Sequence, residues 1–494
     1  LGNFFDILGS EGAEDGGVSP YELPTEPFGG LEELCWSSDG TRIAYSCRKK
    51  DGKDYAFSTD TEIYIYNIQS GECVQVPMGG GYDTTPVWSP DGRMICWISM
   101  ERNGYEADKQ RLMLADVDGM KVGNIRELSA GFKYNVAEPV WDEDSQHIWF
   151  NALTEGLQAL YVTDLKGNIT RKTGEGLWYD FTTPFFIDRA DGREILYTTW
   201  QSMDFPTEIV AFNTATQTGT KVTDENGHIL SQLREHRTEA RMVKTVDGKD
   251  MLTWVLYPPE FDQSKKWPAI EICLGGPQGT LSQGWSYRWN YRLMCSQGYV
   301  VVLPNRRGTT AFGQEWCEQI SGDYCGLNIQ DYLCAAKALK NEPYVGKMAA
   351  CGASYGGYSV YYLCGVHGNV YDAFIAHAGI FNQEHMYMTT EEMWFPTWDN
   401  GGAPWDSNPT ALRHYANSPH KLIGNWHTPL LVIHGGSDFR VPYDQGMAAY
   451  NCAQMMGVPS ELIVFPNENH WILKPQNALF WHRSYFGWLD KWLK

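Results

Sequence analysis

Between about residue 31 and residue 236 apolar and polar positions alternate in short runs, the period of strands with one covered face. Four stretches share one layout: CWSSDGTRIAYSC from Cys35, VWSPDGRMICWIS from Val87, VWDEDSQHIWFNA from Val140 and FIDRADGREILYTTW from Phe186. Each reads as an apolar or aromatic strand, a turn carrying an acid (Asp39, Asp91, Asp144, Asp191) and a second alternating strand. The turn acids recur about every 50 residues, the period of a propeller blade. A further strand pair with hairpin chemistry follows each, such as TEIYIYNIQSGECVQV and QALYVTDLKGNITRKT. Four antiparallel strands per repeat predict β-propeller blades, about four of them. Residues 1–30 are rich in Gly and Pro and lack the alternation, so they are expected to connect from an earlier blade that this chain lacks.

The pattern changes near Arg237. After the hairpin EARMVKTVDGKDMLTWVLYPPEFD, near-continuous apolar runs alternate with helical stretches. Strands are predicted at 268–274, 299–304, 347–352, 373–377, 429–435 and 461–465. Helices are predicted from Asn328, Tyr355 and Tyr443, and one closes the chain. Strands apolar on both faces, separated by helices, predict a doubly wound, mostly parallel sheet of the α/β-hydrolase class. The expected organisation is a partial β-propeller over 1–236 and an α/β-hydrolase domain over 237–494.

Composition narrows the function. A formal net charge of -21 argues against a nucleic-acid partner, since a phosphate backbone calls for basic patches. No apolar run reaches the roughly 18–20 residues of a membrane span. The twelve cysteines include no CxxC pair, and several, such as Cys96, Cys273 and Cys351, sit in apolar runs as buried thiols would. No HExxH or related pattern is present, so neither a catalytic metal nor another cofactor is expected.

The chemistry centres on Gly352-Ala353-Ser354-Tyr355-Gly356, a G-x-S-x-G turn between a predicted strand and a predicted helix. Glycines two positions either side of the serine leave room for the backbone to double back. The following helix aims its N-terminus at the reacting centre, so the Tyr355 N–H is a candidate oxyanion donor. Chain order in this fold is Ser, acid, His. Asp438 follows one predicted strand and His470 the next, both at carboxyl ends where catalytic loops sit. Asp444 falls in a helix, Glu461 opens a strand and Glu468 lies too near His470. His434 is expected to be a packed residue inside its strand. His377, His385, His414, His420 and His427 precede the acid, and His482 lies on the last helix.

With LGGPQG (274–279), LPNRRGTTAFGQ (303–314), GASYGGY (352–358), HGGSDFRVP (434–442) and ENHW (468–471), the chain resembles the prolyl oligopeptidase family. TTEEMW and NGGAPWDSNPTALRHYANSP are similar to its acylaminoacyl-peptidase-like branch, and within that branch to bacterial dipeptidyl peptidases. The resemblance implies a serine peptidase acting on short peptides admitted past a propeller, with Ser354, Asp438 and His470 as catalytic triad. It implies release of N-terminal dipeptides with Ala or an apolar residue before the cut, a homodimer and a periplasmic location. Arg440 matches a position that binds the carbonyl of the residue second from the cut, with a structural salt bridge as its plainer role. Ile380, Phe381, Met386, Trp394 and Val441 are candidates for the apolar pocket, near Tyr358. Relatives commonly carry Tyr or His where this chain has Leu274, so the second oxyanion donor is left open. A free α-ammonium needs a carboxylate, and Glu32, Glu33, Asp83 and Glu138 head inner strands of the repeats. An acylaminoacyl peptidase or oligopeptidase on the same scaffold is the alternative. A propeller-based binding protein with a vestigial hydrolase is the remote one.

Overall fold

The computed structural model describes residues 6–9, 11–13, 16–25 and 29–494. The expected connector over 1–30 lies partly outside the described residues. The chain divides into two compact units, one of residues 1–200 and 208–223, the other of residues 201–207 and 224–494.

In the first unit each of the four sequence repeats is an antiparallel sheet. The first joins Leu34–Trp36, Arg42–Cys47, Glu62–Asn67 and Cys73–Gln75. The next two are four-stranded in the same order, and the fourth gains a fifth strand, Phe186–Asp188. Three of the four recurrent turn acids, Asp39, Asp91 and Asp144, fold their own turns. Asp39 Oδ1 accepts from the Ser37 hydroxyl at 2.7 Å and the Thr41 N–H at 2.9 Å. Asp91 repeats this with Ser89 at 2.6 Å and the Arg93 N–H at 3.1 Å. Successive sheets stack face to face. Ala44, Ile63 and Ile65 of the first meet Trp88, Ile95, Trp97 and Met113 of the second. The second meets the third through Cys96, Leu114, Ile148 and Phe150, and Trp141 Nε1 donates across to Val87 O at 3.0 Å.

The second unit carries an eight-stranded sheet: β1 (Arg237–Lys244), β2 (Asp250–Tyr257), β3 (Trp267–Cys273), β4 (Val300–Pro304), β5 (Val345–Ala353), β6 (Ala373–His377), β7 (Leu430–Gly435) and β8 (Ser460–Phe465). Its order is β1-β2-β4-β3-β5-β6-β7-β8. The β1–β2 and β2–β4 pairs are antiparallel, and the remaining neighbours are parallel. The main helices are α1 (Leu327–Lys340), α2 (Tyr355–Val366), α3 (Asp444–Met455) and α4 (Pro475–Leu493). Alternate strand residues, among them Val255, Val302, Met348, Ala350, Phe374 and Val432, form one core with Ile329 and Ala336 of α1, Val360 of α2 and Ala449 of α3. Helix α4 packs on β5 and β6, with Trp488 Nε1 donating to Phe374 O at 3.1 Å. Burial on both faces is why these strands are apolar throughout. All twelve cysteines are free thiols, with Cys96, Cys273 and Cys351 buried.

Candidate active site

The β5–α2 turn sets Ser354 at φ 59°, ψ −123°. That is a left-handed conformation costing a serine on the order of 1–3 kcal/mol, held by its surroundings. The neighbouring glycines show how. A Cβ on Gly356 would stand 2.1 Å from Cys273 O, and one on Gly352 would stand 2.4 Å from Gly356 O. The turn is therefore pressed against the end of β3 at a distance only glycine permits. The Ser354 N–H donates to His377 O at 2.9 Å, tying the turn to the end of β6. As the first residue of α2, Tyr355 carries an N–H with no helical carbonyl to bond.

Asp438 and His470 lie in the loops after β7 and β8. His470 Nδ1 donates to Asp438 Oδ2 at 2.7 Å, and both residues are buried. The N–H groups of Arg440 and Val441 donate to Asp438 Oδ1 at 3.1 and 2.9 Å. His434, expected as a packed strand residue, is fully buried; its Nε2 donates to Val441 O at 2.7 Å and lies 3.4 Å from Asp438 Oδ2. Burial pushes the Asp438 carboxyl up, but hydrogen bonds from His434 and His470 outweigh it and hold the group well below the usual carboxylate range. The two loops are fastened together: Ser437 N–H donates to Glu468 O at 2.9 Å, and Gly436 N–H to Phe465 O at 2.8 Å. The Glu468 carboxylate accepts from the Leu473 and Lys474 N–H groups, each at 3.1 Å, fixing the turn into α4. An imidazole with Nδ1–H given to a carboxylate keeps Nε2 as its basic nitrogen. Among the described residues no hydrogen bond joins Ser354 Oγ to that nitrogen.

By chain order His377, which precedes the acid, is not expected in the catalytic set. In the structure it stands between the two halves of the site. Its backbone carbonyl takes the Ser354 N–H, and its Nε2 lies 3.4 Å from His470 O. Trp481 Nε1 of α4 donates to its Nδ1 at 3.1 Å. Burial, then the neighbouring His470, lower its pKa to about 3, so the ring is neutral. The backbone and ring contacts that matter here leave no mark in residue spacing.

The other candidates separate. Ile380, Met386 and Val441 pack together with Tyr355, Tyr358, Ile320 and Tyr324 beside the serine turn. Phe381 instead joins the core under the sheet, against Tyr361 and Trp426. Trp394 is buried at the start of the short helix Trp394–Asp399 and is not part of the Ile380 cluster. Arg440 Nε pairs with Glu392 at 2.9 Å, its Nη2 with Glu391 at 3.3 Å, and its guanidinium lies 5.1 Å from the Trp471 ring centroid. Its plainer role as a salt bridge is thus physically present, through two glutamates not singled out in the sequence.

The four acidic candidates lie in the first unit. Asp83 is buried, and desolvation raises it to about 6. Glu33 is buried and accepts from the Thr25 N–H at 2.6 Å. Glu138 is exposed and takes the Asn151 amide at 2.5 Å, while Glu32 is exposed. Among the described residues no group of three or more His, Cys, Asp or Glu is placed to hold a metal ion, and no helix is long and apolar enough to cross a membrane.

The model of the prolyl oligopeptidase family matches residues 285–494. Dipeptidyl-peptidase 5 of Porphyromonas gingivalis is 50% identical over 479 residues, covering 96% of this chain and 69% of that protein. Dipeptidyl-peptidase 5 of Schizosaccharomyces pombe is 29% identical over 510 residues, 100% of this chain and 70% of its own. Among solved structures, Pyrococcus horikoshii acylaminoacyl peptidase superposes with a TM-score of 0.77 at 22% identity, over 93% of this chain and 70% of that one. Porphyromonas gingivalis dipeptidyl peptidase 4 gives 0.67 at 17%, over 93% and 74%. With half its residues shared with one relative across nearly its full length, this chain belongs to the prolyl oligopeptidase family of serine peptidases.

Proposed function

We propose that this peptidase releases dipeptides from the free amino termini of oligopeptides, with Ala or an apolar residue before the cut, through an acyl-enzyme on Ser354. The buried Asp438–His470 pair, set one loop away from a strained serine turn, is the observation that carries the reading. Ser354 Oγ attacks the scissile carbonyl carbon as its proton passes to His470 Nε2, and the carbonyl oxygen takes the negative charge toward the Tyr355 N–H. Collapse breaks the C–N bond, and the departing amine leaves with the proton held on Nε2. Water then repeats the sequence against the acyl group, freeing the dipeptide carboxylate and restoring the serine. Asp438 holds the tautomer and stabilises the imidazolium without accepting the proton.

In this reading Ile380, Met386 and Val441, with Tyr358, line the apolar pocket, and Arg440 meets the carbonyl of the residue second from the cut. The mixed sheet of the second unit is an α/β-hydrolase domain over 237–494, and the stacked sheets are blades of a β-propeller over 1–236. The homodimer and the periplasmic location follow from the family resemblance alone. Light scattering and cell fractionation check them.

Chromogenic dipeptides with free and with N-blocked termini test the specificity. The free form is expected to be turned over faster. Preference for the blocked form would replace this reading with an acylaminoacyl peptidase, the activity named for the Pyrococcus structure.

A further inference from the structure

Leu274 has no side-chain donor, yet a tetrahedral oxyanion needs a second hydrogen bond beside that of Tyr355. The turn after β3, Leu274-Gly275-Gly276-Pro277, lies against the serine turn. A Cβ on Gly275 would be 2.9 Å from Ala353 O and 3.7 Å from Ser354 Cβ, and one on Gly356 would be 3.2 Å from Gly275 N. Among the described residues the Gly275 N–H makes no hydrogen bond. An open donor thus stands next to the nucleophile, on a turn of two glycines that has little stiffness of its own.

Arg306 supplies the stiffness. It is fully buried, and among the described residues it forms no ion pair with a carboxylate. Its Nη2 donates to Leu274 O at 3.0 Å and to Pro277 O at 2.7 Å, the two ends of the turn. Nε donates to Tyr332 OH at 3.0 Å, and that hydroxyl reaches Leu274 O at 3.5 Å. Nη1 donates to Arg307 O at 2.9 Å. The backbone of Arg306 is itself anchored, its carbonyl taking the Thr309 N–H at 3.1 Å and Trp316 Nε1 at 3.0 Å. Gly308 makes room: a Cβ there would stand 2.4 Å from Arg306 Nη1. The adjacent Arg307, also fully buried, is neutralised by Asp331 at 3.2 Å and by Asp247. Burying a guanidinium without a carboxylate is costly, and here the charge-assisted hydrogen bonds to three carbonyls offset that cost.

We propose that Arg306 is a positioning residue for the second oxyanion donor: by clamping both ends of the Leu274–Pro277 turn it holds the Gly275 N–H at the oxyanion, in place of the side-chain donor that Leu274 lacks. The proposal rests on Ser354 being the nucleophile.

The test uses the full chain and the variants Arg306→Met, Arg306→Lys and Tyr332→Phe. It reads kcat and KM on a dipeptide chromogenic substrate, the inhibition constant of a dipeptidyl boronic acid, binding of the product dipeptide, and thermal stability. Arg306→Met is expected to lower kcat by roughly 10²–10³-fold, the usual cost of one oxyanion donor. Boronate affinity should fall in parallel, with KM and product binding changed less than about threefold. Lysine, a point charge that cannot bridge two carbonyls in the same geometry, is expected to fall between. Tyr332→Phe should cost a few-fold. If the methionine variant does not fold, the other two carry the same comparison. Folded variants that keep kcat within about twofold, or that lose product binding and boronate affinity equally, overturn the clamp. Wild-type protein that a fluorophosphonate fails to label at Ser354 overturns the serine reading itself, and the clamp with it.

Discussion

The two sides of the candidate site are built on different physics. On the acid–base side Asp438 and His470 are held by hydrogen bonds: four groups point at one carboxylate, and two backbone bonds fasten its loop to the next. On the nucleophile side Ser354 is held by exclusion, with glycines pressed against backbone oxygens where no Cβ fits. Hydrogen bonds weaken gradually as atoms move, whereas steric contact fails at a threshold. The first side should therefore respond to substitution in degrees and the second all at once.

The largest effect comes from removing the nucleophile. Ser354→Ala is expected to lower kcat/KM by roughly 10⁵-fold or more with the fold intact, measured on a free dipeptide substrate. Gly356→Ala should approach the same loss by another route. Its methyl group, 2.1 Å from Cys273 O, forces the turn open and costs about 3 kcal/mol in denaturant unfolding. A Gly356→Ala protein of wild-type stability would remove the steric half of the contrast. On the other side, Asp438→Asn should leave the chain folded and lower kcat about 10⁴-fold, because the imidazole loses its tautomer control. Trp481→Phe, which removes the indole donor to His377 together with part of a buried ring that stacks on Tyr485, should cost activity a few-fold, with KM unchanged.

The acid side also has a pH signature. The folded Asp438 carboxyl titrates well below its unfolded value of about 3.9. Its contribution to stability is therefore fully present above that value and is lost as pH falls through the folded pKa. The stability gap between wild type and Asp438→Asn should stay level from pH 7 to about pH 5 and narrow below about pH 4 in denaturant titrations.

Much of this architecture is legible in the chain. Strand and helix periods place the second unit's elements to within a few residues, as in 373–377 against Ala373–His377, because burial on both faces leaves an uninterrupted apolar signal. Strained turns announce themselves through glycine, which is why Ser354 stands out. Arg306 is visible only as an arginine where relatives of the 303–314 motif carry a proline, and His377 not at all, since each acts on backbone carbonyls that every residue carries and that only the fold selects. Phe381 was legible as apolar and near the site, but the direction it faces depends on Tyr361 and Trp426, far from it in sequence. Glu391 and Glu392 stand in the TTEEMW stretch, but their partner Arg440 lies about 50 residues on and is placed beside them only by the fold.

Helix α4 contributes no group to the proposed chemistry, yet Trp481 grips the ring that supports the His470 backbone, and Glu468 braces the turn leading into it. The C-terminal helix is thus a mooring for the base. A chain cut just before it would keep every reacting side chain and lose the ground on which one of them stands.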